Sequence, residues 1–515
     1  METTMKKQRT VLALAFVGAL TLSSCSAQEG VDLGDGGGGD SENGRNLVAA
    51  IAGEPDQLDP HNTSAYFSFQ VLENVYDTLV APDENLEMQP ALAESWETSD
   101  DQLTWTFTLR DDVTFHDGSE FTSEDVAYSF NRIIDEELGN AYRFGAVESI
   151  ETPDEQTVVI KVSSPSPNLL SSIGGFKGMA IVSAENVESG DIQDTPIGTG
   201  PFAFDSYTTG DSISLTANED YWGGAPEIPG VTFRFISEGT TALADLTAGQ
   251  VDWTDSIPAQ QVTSLESNPD VEVGMVPSND YWYLAPNQAS APYDDVRVRQ
   301  AIAYAIDRDA ITQAASFGNA TTNQLAIPES SSWYTEYSEY SLDLERAQQL
   351  MDDAGASDLA MELMVTTQYP ETVTAAEVIA DNLSQIGITV DIRTLDFATW
   401  LDEQANGNFD MLMLGWLGNI DPDDFYYNQH HSEGSSNAQG YSNPEVDQLL
   451  DEARTETDVA ARQGLYDQAA TQIADDGSYI YLYNPDVIQA WSPALEGYEP
   501  RSDRAIRFAD VSFAE

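Results

Sequence analysis

Between Asp343 and Leu414 the chain alternates two hydrophobic rhythms, and this alternation restricts the fold more than any other feature of the sequence. Asp343 to Ala354 has helical spacing and stops at Gly355, and Leu359 to Val365 then reads as a strand. Thr374 to Ile386 is a second helix closed by Gly387, followed by a strand at Ile388 to Leu395, a helix at Ala398 to Ala405 and a strand at Asp410 to Leu414. Strand and helix in that order predict an α/β lobe whose parallel strands are joined by crossover helices.

Earlier segments follow a different pattern. Leu103, Trp105, Phe107 and Leu109 alternate with Thr104, Thr106 and Thr108, the pattern of a half-buried strand, and Val158, Ile160 and Val162 repeat it. Thr122 or Ser123 can cap a helix from Glu124 to about Ile134, with Val126, Ala127 and Phe130 on one face. A chain of 515 residues exceeds one ordinary core, so two or three lobes are expected. No internal repeat at solenoid spacing is visible.

The first residues read as a targeting segment. Lys6, Lys7 and Arg9 precede an apolar run of 12 residues, Val11 to Leu22, which suits a signal-peptide core and is too short to span a bilayer. The run ends in Leu22-Ser23-Ser24-Cys25, which resembles a bacterial lipobox. Cys25 is the only cysteine, so no disulfide framework competes for it. Acylation there would anchor the mature chain to the membrane. Residues 26–45 are rich in Gly, Ser and acidic side chains and read as a flexible tether.

Charge narrows the class of partner. Twenty Lys and Arg stand against 88 Asp and Glu, a net −68. Such a surface repels phosphate backbones, which argues against nucleic acid, and it also repels an anionic membrane face, so membrane contact is left to the lipid. The acidity reads either as a heavily hydrated surface or as adaptation to a saline habitat.

Several landmarks then appear in a telling order: AGEPDQLDP at Ala52 to Pro60, YDTLV at Tyr76 to Val80, and the long block from Pro90 to Arg132 containing TFHDGS. IGTGPF at Ile197 to Phe202, NEDYWGGAP at Asn218 to Pro226, ADLTAGQVDW at Ala244 to Trp253 and DDVRVRQAIAYAIDRDAI at Asp294 to Ile311 follow. In this order the chain resembles the peptide/nickel (oligopeptide/dipeptide-binding) class of extracellular solute-binding proteins that serve ABC importers, in lipoprotein form. The resemblance implies an α/β, two-lobe, three-domain clam-shell of the periplasmic-binding-protein kind. Its crossing strands are expected near Tyr281 to Asn287 and Tyr479 to Asn484. The expected organisation is a signal peptide at 1–24, a lipidated Cys and tether at 25–45, domain I at 46–84, 197–283 and 483–515, domain II at 85–196, and domain III at 284–482. The implied partners are a small solute, with an oligopeptide favoured, and the permease subunits of an importer. The protein is expected to act as a monomer, lipid-anchored on the outer face of a cell membrane, with a Gram-positive cytoplasmic membrane favoured. No cofactor or metal is expected.

Family members that bind peptides clasp the ligand's amino group with a Trp followed three residues later by Asp. Trp416 matches the Trp, but the Asp position holds Asn419, which accepts a hydrogen bond without carrying charge. Asp421 or Asp423 is a candidate substitute. The dipeptide-binding members also hold the ligand carboxylate with an Arg, and the matching stretch Val365 to Tyr369 has none. Trp416 is read as stacking on ligand, with core packing as the alternative, and Asn419 as a ligand contact or a turn former. Tyr66 and Phe67 are read as lining the cleft or packing in the core. Tyr142 and Arg143 resemble a rim, with Arg143 read first as a solvated side chain and as a ligand contact in the alternative. His430 and His431 are adjacent and point differently, His116 lies inside TFHDGS as a structural residue, and His61 is left open.

Other functional classes fit the sequence less well than binding. A secreted hydrolase lacks support, because there is no GxSxG elbow, no HExxH helix and no second cysteine. An oligosaccharide or a nickel chelate on the same fold, or a structural surface lipoprotein, are the remaining alternatives.

Overall fold

The computed structural model describes residues 44–514 apart from Lys177, Gly418 and Asn419. The leader, Cys25 and the expected cleft residue Asn419 therefore lie outside the described residues.

A twelve-stranded mixed sheet organises the chain, with the long strand Ile480–Trp491 near its middle. The first half of this strand pairs antiparallel with Tyr281–Pro286 and Ala320–Thr322, and its second half with Trp253–Thr254 and Glu272–Pro277. It is thus shared by two lobes. In the first lobe the sheet continues through Leu47–Ile51, Gly230–Phe235, Ser212–Ala217 and Phe202–Thr208. In the second it continues from Tyr281–Pro286 through Met411–Trp416 and Ala360–Thr366 to Thr389–Leu395.

The crossovers expected from the alternating rhythm are present: Ala360–Thr366 runs parallel to both Thr389–Leu395 and Met411–Trp416. Local chemistry fixes the helix ends. The Asp343 side chain accepts from the Arg346 amide to open Leu344–Ala354, and Gly355 closes it in the left-handed region at φ 69°. Most boundaries shift by a residue or two from expectation, and two of the shifts have an identifiable cause. The helix expected from Thr374 begins at Pro370, because a proline in the first turn lacks only an N–H that would have no partner there. The strand expected to end at Leu414 continues to Trp416, because Gly415 fits against Trp282, whose ring a Cβ would meet at 3.0 Å.

Strands Ala93–Thr98, Thr104–Leu109, Thr157–Val162 and Val147–Asp154 form a separate antiparallel sheet. Its alternation resolves as read: Trp105, Phe107, Leu109, Val158, Ile160 and Val162 are buried in one cluster with Val126 and Phe130 of helix Ser123–Asp135. A capping box between Thr122 and Asp125 starts that helix. In the second lobe Leu284, Leu363 and Met413 pack under Ile302, Ile379 and Leu383, all fully buried. Each such side chain contributes roughly 1.5–3 kcal/mol through removal from water. Among the described residues no helix is long and apolar enough to cross a membrane.

Candidate functional site

Ligands of α/β sheets settle beyond the carboxyl ends of parallel strands. In the first lobe Leu47–Ile51 runs parallel to Gly230–Phe235 and Trp253–Thr254, so the chain leaves the last of these at Asp255. In the second lobe Ala360–Thr366 leads out to Tyr369 and Glu371, and Met411–Trp416 to Leu417. Tyr281 pairs with Trp416, which places Asp280, the residue before the crossing strand, beside the point where the Trp416 loop emerges.

A charged floor lies at this junction. Asp280 is fully buried and forms an ion pair with Arg504, which comes from the returning C-terminal segment. Arg504 holds a backbone φ of 63°, a region that costs a non-glycine residue about 1–2 kcal/mol. Asp255 accepts from Gln70 Nε2 at 2.6 Å and from the Tyr66 hydroxyl at 3.4 Å, and the Arg504 guanidinium lies 5.8 Å from the Tyr66 ring. Burial pushes the Asp255 carboxyl up, against the opposing pull of Arg504 and Gln70. Burial likewise raises Glu371, with Arg504 again pulling the other way. Tyr369 packs edge-on against Trp282 at 5.6 Å.

A cavity of about 710 Å³ meets this junction only at Asn279 and Ser502, and Tyr66, Gln70, Asp255 and Glu371 are not among its lining residues. Asn279 and Ser502, close neighbours in sequence of the ion-paired Asp280 and Arg504, line it together with Trp333, Ile420, Asp421 and Arg462. The Asn279 amide donates to the Ser502 carbonyl at 3.1 Å, which ties the crossing segment to the C-terminal one.

The residues singled out in the sequence fall in different places. Trp416 is partly buried against the cluster of Tyr281, Tyr283 and Tyr479. Asp421 lines the cavity, but its carboxylate is gripped by both terminal nitrogens of Arg462 at 2.9 and 2.5 Å, and it also caps helix Pro422–His430. Asp423 lies 3.2 Å from Arg454, accepts from Tyr466 and Asn168, and is raised to about 6 by burial. Tyr66 belongs to the charged floor. Phe67 packs over Gly53, where a Cβ would stand 2.4 Å from its ring. Tyr142 is 40% exposed. Arg143 is not solvated: its unit, joined to the first lobe by the Arg132–Asp59 ion pair and by Phe176, Ala180 and Val182 packed with Leu47 and Ile51, meets the second lobe where Arg143 pairs with Asp424 at 3.0 Å, the two side chains 10% and 14% exposed.

The histidines are held by neighbours. His430 bonds Ser478 and Tyr481 and is lowered to about 3 by burial, while His431 stacks on Tyr427 at 4.6 Å. His61 contacts the Ala180 carbonyl and Arg132 and is lowered to about 4, burial again being the main cause. His116 contacts the Gly200 carbonyl. Among the described residues no three His, Cys, Asp or Glu side chains group to hold a metal ion. The sequence reading missed Asp255, Asp280, Glu371, Gln70 and Arg504. The one available signal was the scarcity of positive charge, which makes each arginine informative.

Comparison with known proteins agrees with this architecture. Residues 87–437 match the family model described as bacterial extracellular solute-binding proteins, family 5 Middle. Heme-binding protein A of Haemophilus influenzae is 31% identical over 83% of this chain and 84% of its own. The oligopeptide-binding protein AppA of Bacillus subtilis is 26% identical over 97% of this chain and 98% of its own. The ABC transporter-associated periplasmic binding protein DppA of Helicobacter pylori, solved with the peptide STSA, superposes with a TM-score of 0.82 at 27% identity, covering 91% of this chain and 98% of that one.

Proposed function

The chain belongs to the family 5 bacterial extracellular solute-binding proteins, non-enzymatic carriers that hand solutes to ABC importers, and on that premise we propose that it captures an oligopeptide or a similarly polar solute between its lobes. The observation that carries this reading is the cavity of about 710 Å³ beside the mouth of the Trp416 strand, with Asn279, Ser502 and the serines 330–332 in its lining. Its volume lies in the range of small-ligand sites, and amide and hydroxyl groups suit a ligand rich in peptide-like donors and acceptors. The contact of Arg143 with Asp424 supports closure of the lobes as the capture step. Delivery from a lipid anchor at Cys25 is part of the same proposal. A Cys25→Ser variant should then leave the membrane fraction and appear in the medium.

Mass spectrometry of small molecules released from the purified, gently denatured protein tests the ligand class. A set of short peptides is the expected result. A sugar, or a metal chelate without peptide, would replace this reading.

A further inference from the structure

The junction between the lobes gathers three carboxyl groups around one arginine. Asp280, Asp255 and Glu371 all act on Arg504, and the direct ion pair of Arg504 is with Asp280. Neither Asp255 nor Glu371 has an ion-pair partner of its own among the described residues. Two carboxylates, one from each lobe, thus share the influence of a single arginine that is already paired with Asp280.

A second observation points the same way. Gln70 is 1% exposed, and its Nε2 is committed to Asp255, yet its Oε1 is buried without a hydrogen-bond partner. The amide cannot simply be turned over, since that would set its oxygen against the Asp255 carboxylate. A buried acceptor left open costs about 1–3 kcal/mol unless something donates to it. Here the missing donor lies next to an unpaired carboxylate, so an N–H group that is also positively charged would satisfy both. The carboxylates of the expected loop are not available for this task. Asp421 already holds Arg462, and Asp423 already holds Arg454.

We infer that Asp255 and Gln70 of the first lobe, with Glu371 of the second, form a subsite for a cationic group of the ligand, an ammonium or a guanidinium. The Tyr66 ring and hydroxyl form its wall. This inference rests on the reading that the solute is held between the lobes, and it puts the charged group at the junction beyond Asn279 and Ser502 rather than in the lining of the cavity itself. It narrows the solute to one carrying positive charge, whether at a peptide N-terminus or on a basic side chain.

Three probes separate these sources in calorimetric titrations: trialanine, which has only a terminal ammonium, N-acetyl-trilysine amide, which has only side-chain ammoniums, and N-acetyl-trialanine amide, which has neither. At least one charged probe should bind about tenfold or more tightly than the capped neutral one. An Asp255→Asn/Glu371→Gln double variant should remove that preference, bringing the charged probe to the level of the neutral one. Both substitutions are isosteric, and the carboxamide introduced by Asp255→Asn still offers an oxygen to Gln70. The variant is therefore expected to fold, which an unchanged circular dichroism spectrum would verify. Equal binding of all three probes by the natural protein, or a preference that survives in the double variant, would overturn the inference. Mass spectrometry of co-purified molecules separates its fate from that of the peptide reading. Cationic non-peptides would sink the peptide reading and keep the subsite, whereas peptides held with no charge preference would do the reverse. Failure of all three probes to bind, with no cation released, would overturn both.

Discussion

The Arg143 guanidinium lies 3.0 Å from the Asp424 carboxylate, and this ion pair bridges the two lobes with both side chains largely removed from water. Asn168 reinforces it by donating to Asp423 at 3.2 Å. Both partners would regain water if the lobes parted, so the pair acts on the balance between open and closed forms more than on folding. Charge-assisted hydrogen bonds of this kind contribute about 1.5–3 kcal/mol. Arg143→Ala should therefore weaken ligand binding by roughly tenfold to a hundredfold. Small-angle scattering should show a larger unliganded radius of gyration, with the thermal midpoint little changed. An unchanged scattering profile would show that the pair does not govern closure.

Glu73 gives the fold a pH dependence of defined sign. Burial raises its carboxyl from 4.5 to about 7, although Arg507 and the Ile506 amide favour the ionised form. A raised carboxyl binds its proton more tightly in the folded chain, so its stabilising contribution is complete below 4.5 and is lost as pH rises through about 7. Glu73→Gln keeps an acceptor for Ile506 and removes the cost of ionisation. Urea titrations should find the variant more stable at pH 8, on the order of 2–3 kcal/mol, and close to the parent at pH 4. A gain that is the same at both pH values would point to packing instead.

His430 works in the opposite direction. Its folded value of about 3 lies below the ordinary 6.5, so the unfolded chain takes up the proton first. Stability from the neutral ring is whole above pH 6.5 and drains away between 6.5 and about 3. Replacement by Asn should flatten acid unfolding in that window, at the cost of a lower thermal midpoint at pH 7 from lost contacts with Ser478 and Tyr481. NMR titration of the ring should show no protonation at pH 5.

Asp421 is expected to behave as a structural residue even though it lines the cavity. Asp421→Asn leaves Arg462 buried without its counter-charge, a loss of about 3–5 kcal/mol in buried pairs. Thermal unfolding should drop accordingly, while the preference among charged and neutral peptide probes should stay as in the parent. A change in that preference would make Asp421 a ligand residue.

The architecture was legible in the sequence because it rests on local periodicity. The Thr104–Leu109 strand, the helix behind Thr122 and the three parallel strands of the second lobe are all written in runs of a few residues. Their ends were less legible where a proline or a glycine carries two readings, as at Pro370 and Gly415. The charged floor was out of reach. Arg504 meets Asp280 only because the C-terminal segment returns across the crossing strands, and no local spacing reports that. Among 88 acidic residues, nothing in their order marks Asp255 or Glu371. The resemblance directed attention to Trp416 and the loop after it, and the structure adds that the nearby carboxylates Asp421 and Asp423 are already committed to arginines.

Strand Ile480–Trp491 has one further consequence. Since its two halves are hydrogen-bonded into different lobes and both of its faces are buried, its side chains serve several cores at once: Tyr481 and Leu482 lie in two clusters of the second lobe, Ala490 and Trp491 in two of the first. A slip of one residue would exchange Tyr481 with Leu482 between their clusters in one lobe and Ala490 with Trp491 in the other together. Each core thereby checks the alignment of its neighbour, and a pivot built this way can bend but cannot slide.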